Sequence, residues 1–510
     1  MAYPLTSAAI ETKLSTIGGL PHCDLLSAAN PSREGKTIHY LRIHDGSGAD
    51  RPSILLTGGV HAREIAPPDA LLSFAEALLV AYRDGKPLRM PSWDDTAYAP
   101  ALHYPAFIAM SKPDVKAVLR RLNVIVAPNV NPDGRDFALG GPTVPAPPVP
   151  PEVQAEHDFR FLWRKNRRSP PAPLGTLTAP LSTGVPVTSV SVTAASRGSL
   201  VAGLTLEVVN GATSQVAVAS APFAAGDLAI PVYSFTPSVD YGIGSAVNDA
   251  MDYGVDLNRN FDIAWAFDSY YDAAAVAYNT TFPNDSFSRV PSHQTYIGDS
   301  AASEPETQNI VSMMSDENIR YFVDVHEYGR DVLRPWAFSE DQRSDKTNSW
   351  HNKALDRPAG PGRPRRGGAY ADWFPNDPGA RPRLLLDKHN AIAARMAFKI
   401  KHSAGANPMA VARSTYATPT SIGYDATGCS DDFLLSTMFP PLAGPWPAPI
   451  TDPEKFAFTI EVGTPAGGLV DPSDDEGGFH VLPSKYPKVE REIWAAVSAF
   501  LTKLASWAGP

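Results

Sequence analysis

Cysteine is nearly absent: Cys23 and Cys429 are the only two in 510 residues. Two are too few for a disulfide framework and agree with a reducing compartment. Long apolar runs are missing as well. No stretch of eighteen apolar residues occurs, so no membrane-spanning helix is expected. Basic residues are outnumbered, 44 Lys and Arg against 54 Asp and Glu, for a formal net charge of −10. Nucleic acid, which demands a basic footprint, is excluded as a partner. The opening MAYPLTSAAIETKLSTIGGL has neither a basic n-region nor an apolar h-region. A soluble, cytoplasmic protein with no membrane partner is therefore expected.

Proline, by contrast, is abundant. Fifty prolines are about twice the usual share. With 43% hydrophobic and 19% charged residues, they indicate many ordered loops in a globular chain rather than disorder. The length suffices for one large α/β domain with insertions, or for two or three domains.

Short continuous apolar runs recur at residues 54–57, 124–127, 321–325 and 456–460, as in strands covered on both faces. Between the first two lies a helix pattern. Pro67 and Pro68 stand at its start, Leu71, Phe74, Ala75, Leu78, Leu79 and Tyr82 follow at helical spacing, and Gly85 comes after it. Ile493, Val497, Phe500, Leu501 and Leu504 mark a second helix near the end of the sequence. The alternation predicts an α/β fold with a mixed, mostly parallel central sheet sandwiched by helices, and ligands beyond the carboxyl ends of its strands. Residues 169–252 differ, being rich in Thr, Val, Ser, Ala and Gly. Within them TLEVVNGATSQVAVAS alternates around Asn210-Gly211, a hairpin signal. The organisation expected is one unit of residues 1–168 and 253–510, interrupted by a β-rich insertion over 169–252. RPAGPGRPRRGG, residues 357–368, is expected to be a solvated loop. DPSDDEGG, residues 471–478, lacks the EF-hand spacing and reads as a solvated turn.

Chemistry enters at GGVHAREIAPPD, residues 58–69, directly after the first apolar run. Of twelve histidines only His61 has an acidic residue, Glu64, three positions on. By itself the pair is weak evidence for a metal, and two unrelated loop residues are the other reading. A catalytic zinc takes three ligands from His and carboxylate and leaves one position open. His326, ending YFVDVH, is placed to be the third. Metal-assisted hydrolysis also needs a carboxylate that is not a ligand, to take and return a proton. Glu461, ending KFAFTIE, is the candidate, an ion pair with an arginine being its other reading. LWRKNRR (162–168) and VDLNRNFD (255–262) supply guanidinium groups, which can grip a carboxylate or face an oxyanion.

In this order and with these flanks, GGVHAREI, APNVNPDG, LWRKNRR, VDLNRNFD, VDVHEY, YDATGCSDDF, FTIE and FHVLP resemble the zinc carboxypeptidases of the carboxypeptidase A and B family. REGKTIHYLRI, residues 33–43, resembles the strand near the mature start of those enzymes. The resemblance covers nearly the whole chain, apart from 169–252 and extra length around 340–415. It implies a zinc carboxypeptidase-like fold and one Zn2+ per chain, held by His61, Glu64 and His326. It implies Glu461 as general base and later acid, and Arg164, beside Trp163, as stabiliser of the oxyanion. Asn258 and Arg259 would hold the substrate's terminal carboxylate, with Arg63 and Tyr328 lining the cleft. Tyr424 matches a mobile tyrosine that closes over substrate.

Asp431 matches the floor of the pocket for the released side chain and implies a preference for C-terminal Lys or Arg. Neutralisation by Arg334, or Asp432 pointing inward instead, are the alternatives. Cys429 stands at a small, glycine-like position and reads as a tolerated substitution. The expected function is zinc-dependent removal of the C-terminal residue from peptides or proteins. Two rivals share parts of the pattern. A zinc amidase or deacylase acting on small acylated amino acids has the same ligand set, but the set of Asn258, Arg259 and Tyr424 suits a peptide end. A non-catalytic module that binds peptide ends would have no need of Glu461. The insertion follows Arg164 closely, which puts it near the active-site rim, where it would restrict substrates to short peptides.

Overall fold

The computed structural model describes residues 3–47, 50–96, 101–140, 163–167, 174–195, 205–210, 213–221, 223–224, 226–249, 254–263, 265, 287–288, 293–335, 337, 381–403, 415–417, 426–437, 454–464 and 478–507. At its centre lies an eight-stranded sheet. Its strands are β1 (Cys23–Ser27), β2 (His39–Ile43), β3 (Ser53–Gly58), β4 (Asn123–Ala127), β5 (Ile319–Glu327), β6 (Asp331–Leu333), β7 (Thr415–Ala417) and β8 (Phe456–Val462). They are ordered β1-β2-β4-β3-β5-β8-β6-β7. The inner strands β4, β3, β5 and β8 are parallel, whereas β1, β2 and β6 pair antiparallel with their inner neighbours. The sheet is therefore mixed, as expected, with its antiparallel members outside the parallel centre.

The inner strands read as unbroken apolar runs because both faces are covered: Ile54, Leu55, Leu56, Val124, Ile125 and Val126 are all fully buried. Helix α1 (Ala66–Asp84) follows β3. Pro67 and Pro68 occupy its first turn, where backbone N–H groups lack helical partners anyway. Gly85 ends it in the left-handed region, φ 62°. Helix α2 (Tyr486–Trp507) packs on α1 and on helix α3 (Arg381–Ser403). Phe500 of α2 meets Phe458 of β8 at 5.4 Å between ring centroids.

Strand alternation divides β5 between the two layers. Glu327 accepts the Ala66 N–H at the start of α1. Asp324, three residues earlier and so on the other face, accepts the Ser430 hydroxyl from the short helix α4 (Ser430–Ser436). His326 shares the α4 face with Asp324. Among the described residues no helix is long and apolar enough to cross a membrane.

The hairpin expected around Asn210–Gly211 is present. Thr205–Asn210 pairs antiparallel with Thr213–Val218, Asn210 opposite Thr213. These strands join Ala246–Asp249 and Gly175–Thr176 in a four-stranded sheet. Leu206, Val208, Ile230, Tyr241 and Val247 form a core separate from that of the main sheet. The loop expected over 357–368 lies outside the described residues, as does all but Gly478 of 471–478.

Candidate metal centre and active site

Strand β3 ends at Gly58, and the chain must turn at once between β4 and the start of α1. A Cβ on Gly58 would lie 2.9 Å from Leu71 Cδ1 and 3.2 Å from Pro128 O, and Gly59 has φ +67°, so this turn admits glycine and little else. Beyond it the Glu64 N–H bonds to His61 O at 3.2 Å. That brings Glu64 Oε1 within 2.6 Å of His61 Nδ1. β5 runs parallel beside β3 with Val325 opposite Gly58, so His326, one residue further on, arrives at the same place. Its Nδ1 lies 2.8 Å from Glu64 Oε2 and 3.0 Å from His61 Nδ1. All three side chains are buried.

The opposite ring nitrogens are anchored. His61 Nε2 lies 3.1 Å from Asp256 Oδ1, and His326 Nε2 lies 3.1 Å from Asp324 Oδ2. In the neutral rings, an Nε2–H given to each carboxylate leaves each Nδ1, the atom on the Glu64 side, free to coordinate a metal. The three residues each offer a ligand atom, all within 4.8 Å of one another and buried, a grouping that could hold a metal ion. The donor set and its carboxylate supports fit zinc.

The supports are themselves held. Asp256 Oδ2 accepts Arg164 Nε at 2.7 Å. Asp324 accepts the Thr57 hydroxyl at 2.7 Å and the Ser430 hydroxyl at 2.9 Å. Burial would raise the Asp256 carboxyl, but Arg164, His61 and Arg259 overcome it and hold the group well below the usual range. Glu64 behaves likewise: burial is overcome by the two histidines, and its carboxyl is lowered.

Glu461, next to last in β8, lies directly opposite His326 in the parallel ladder, and so shares its face. Its carboxyl is pushed up to about 8, chiefly by burial, with Glu64 and Asp331 adding to the rise and His326 and Arg164 opposing it. Its Oε2 has no hydrogen-bond partner among the described residues. The ion pair with an arginine that the sequence allowed is not found there.

Arg164 sits beside Trp163, whose ring meets Phe137 at 5.1 Å. Its carbonyl accepts the Ala62 N–H, tying it to the His61 turn. Asn258 and Arg259 are buried next to His326. Asn258 Nδ2 lies 3.5 Å from His326 Nε2, and its Oδ1 accepts the Ser430 N–H at 2.9 Å. Arg259 Nη1 reaches Asn258 O at 2.6 Å and Cys429 Sγ at 3.6 Å. Arg63 stacks its guanidinium 3.8 Å from the centre of the Phe479 ring. Tyr328, 38% exposed, packs against the same ring at 4.7 Å.

Asp431 and Asp432 are both buried and do different things. Asp432 receives the Ala337 N–H on both oxygens, at 3.0 and 2.9 Å. Asp431 Oδ1 accepts the Asp432 backbone N–H at 3.0 Å. Burial, reinforced by Asp324, raises the Asp431 carboxyl to about 6. Arg334 bonds to Asn390 Oδ1 and Pro335 O. Tyr424 lies outside the described residues.

Asp256, Asp324, Ser430 and Phe479 were not singled out from the sequence. A signal existed for Asp324, because a residue two before a strand histidine shares its face. Asp256 is the second residue of the VDLNRNFD block, but nothing local to it points to His61.

With this geometry in hand, the comparisons with known proteins are decisive. The family model described as zinc carboxypeptidase matches residues 24–185 and 232–496. The chain belongs to the zinc carboxypeptidase family. The interruption, 186–231, falls within the β-rich stretch. Carboxypeptidase O of Bos taurus is 28% identical over 103 residues, 20% of this chain and 23% of the relative. Carboxypeptidase O of Homo sapiens is 28% identical over 100 residues, covering 19% and 22%. The matched segment thus spans less than a quarter of the length of these curated relatives. Among solved structures, bovine thrombin-activatable fibrinolysis inhibitor in complex with tick carboxypeptidase inhibitor is similar with a TM-score of 0.50 and 14% identity. That similarity covers 99% of this chain and 97% of the other. A crystal structure of thrombin-activatable fibrinolysis inhibitor gives a TM-score of 0.51 at 15% identity, covering 98% and 74%. At these identities the likeness is one of fold.

Proposed function

We propose that the protein is a zinc-dependent carboxypeptidase that hydrolyses the C-terminal bond of peptides or proteins, with one zinc per chain. The observation that carries this reading is the convergence of His61, Glu64 and His326 with Glu461 opposite His326 on the adjacent strand. Zinc, when bound to the three ligands, supplies Lewis acidity toward a scissile carbonyl.

The chain's own residues do the rest. Glu461, with an oxygen free of hydrogen bonds and its carboxyl raised toward neutrality, takes a proton from the attacking water and delivers it to the departing amine. Arg164, fixed by Asp256, faces the oxyanion. Asn258 and Arg259 bind the terminal carboxylate. Arg63 and Tyr328, gathered on Phe479, line the approach for residues upstream of the cleaved bond. Asp431 accepts a cationic side chain; the use of Asp432 on the Ala337 N–H supports Asp431 over its neighbour in that role. A small-acyl amidase would share the ligands, but a buried Asn258–Arg259 pair beside His326 favours a substrate that ends in a carboxylate.

The test is mass spectrometry of a peptide library incubated with the purified protein, with and without a chelator, and with Glu461→Gln. Stepwise loss of C-terminal residues in the untreated wild type alone is the expected result. Internal cleavage, or release of acyl groups without loss of terminal residues, would reject the reading.

A further inference from the structure

Asn166 lies two residues beyond Arg164 and is fully buried, and every polar atom of its amide is engaged elsewhere. Its Oδ1 accepts the Val255 N–H at 2.8 Å, while its own backbone N–H reaches Val255 O at 3.1 Å. Its Nδ2 donates to Glu304 Oε2 and to Glu306 Oε2, both at 2.9 Å. One acceptor and two donors are thereby used in full. The two glutamates are held in turn: Glu304 accepts Arg33 Nε at 2.9 Å and the Ser303 hydroxyl at 2.8 Å, and Glu306 Oε1 accepts the Arg33 N–H at 3.0 Å. The Asn166 carbonyl is packed as closely. A Cβ on Gly254 would lie 2.1 Å from it, so the chain can pass there only as glycine.

Two things meet at this clip. One is the β-rich insertion, whose strands Gly175–Thr176 and Ala246–Asp249 pair with each other and which lies in sequence between Asn166 and Val255. The other is the active site. Val255 precedes Asp256, which holds Arg164 Nε at 2.7 Å through one oxygen and faces His61 Nε2 at 3.1 Å through the other. A slip of the 163–167 segment against Val255–Asp256 would loosen both contacts together, and misplacement of about 1 Å far from the chemistry can cost a hundredfold in rate.

We propose that Asn166 is a positioning residue: by fixing the register between the Arg164 and Asp256 segments, it keeps the oxyanion-facing guanidinium and the His61 support in place across the insertion. The role of Arg164 in this inference rests on the carboxypeptidase reading, whereas the support of His61 does not.

The experiment uses the full chain loaded with zinc, as wild type, Asn166→Ala, Asn166→Ser and each of these combined with Arg164→Lys. Folding is checked by circular dichroism and thermal melting. On a peptide ending in arginine, the single variants are expected to lose about 10–100-fold in kcat, with KM within about threefold of wild type. In the Arg164→Lys background the same substitutions should cost less than about threefold, because residues acting through one another are not additive. Competition with a chelator should show zinc held about tenfold more weakly. Equal losses in both backgrounds, kcat within about twofold of wild type, or unfolding of both single variants would overturn the inference and leave Asn166 a structural residue only. If wild type cleaves no peptide, the carboxypeptidase reading fails by itself. Zinc competition then still decides: unchanged zinc affinity in the folded variants overturns the inference, and weakened affinity upholds the His61 half of it.

Discussion

The metal centre and the β-rich insertion are built in opposite ways. At the centre nearly every buried side chain is polar or charged, and each is held by another: His61 by Asp256, Asp256 by Arg164, His326 by Asp324, Asp324 by Thr57 and Ser430. The insertion is held by apolar burial, with Leu206, Val208, Ile230 and Val247 fully enclosed and a core of its own. Buried polar networks depend on geometry, because a partner removed leaves a desolvated group behind. Apolar cores depend on volume and tolerate rearrangement. Substitutions in the two regions should therefore fail differently: at the centre chemistry is lost while the fold persists, and in the insertion local stability is lost while the chemistry persists.

The largest effect expected is that of Glu461→Gln, which removes the proposed proton carrier, an acid whose Oε2 has no hydrogen-bond partner among the described residues. Steady-state kinetics should show kcat lower by about 10³–10⁴-fold, with zinc content and melting temperature close to wild type. A matching loss of zinc would mean that Glu461 is a ligand. Next is Leu206→Ala, which empties part of the insertion's core and should cost about 2–4 kcal/mol of local stability. Hydrogen exchange would register this as faster opening of the strands Thr205–Asn210 and Thr213–Val218. Peptide cleavage should stay within about twofold of wild type; a parallel fall in activity would erase the distinction between the regions.

Asp256→Asn comes third. It weakens the hold on both His61 and Arg164, and chelator competition should reveal about 10–100-fold weaker zinc binding, with no change in exchange within the insertion.

The smallest effect expected is a dependence of selectivity on pH. Burial raises the Asp431 carboxyl to about 6, so the group is neutral well below that pH and ionised well above it. An ionised carboxylate favours a cationic side chain by a charge-assisted bond. The ratio of kcat/KM for peptides ending in arginine over those ending in leucine should therefore rise by about tenfold between pH 5 and pH 7.5. Taking the ratio cancels titrations common to both substrates. A flat ratio would remove Asp431 from the pocket.

How much of this was legible before the fold was known follows the same division. Strands β3, β4, β5 and β8 announce themselves as continuous apolar runs because they are covered on both faces. Helix α1 is bracketed by Pro67 and Gly85 for reasons local to the backbone. The pairing of Thr205–Asn210 with Thr213–Val218 is signalled by the alternation around Asn210-Gly211. The short strands β6 and β7 carry no such mark, since three residues each have too little length for a period. In the site, strand ends and spacing mark His61, Glu64, His326 and Glu461 as candidates, and the resemblance of the ordered blocks singles them out. Asp256 and Asn166 could not be picked out, because their importance comes from what the folded chain brings against them. His61 is 195 positions from Asp256, and Glu306 is 140 positions from Asn166. No periodicity links residues so far apart. Only the side-chain contacts of the folded chain do.

The central claim is that His61 Nδ1, Glu64 and His326 Nδ1 surround one divalent ion. It is tested most directly by a crystal structure of the zinc-loaded protein with anomalous data collected on both sides of the zinc edge. The account predicts a single strong peak per chain at about 2.0–2.2 Å from both Nδ1 atoms and from Glu64, with the Glu461 carboxylate nearby but not bonded to it. A peak elsewhere, no peak at a saturating concentration of zinc, or coordination through Glu461 in place of Glu64 would contradict it.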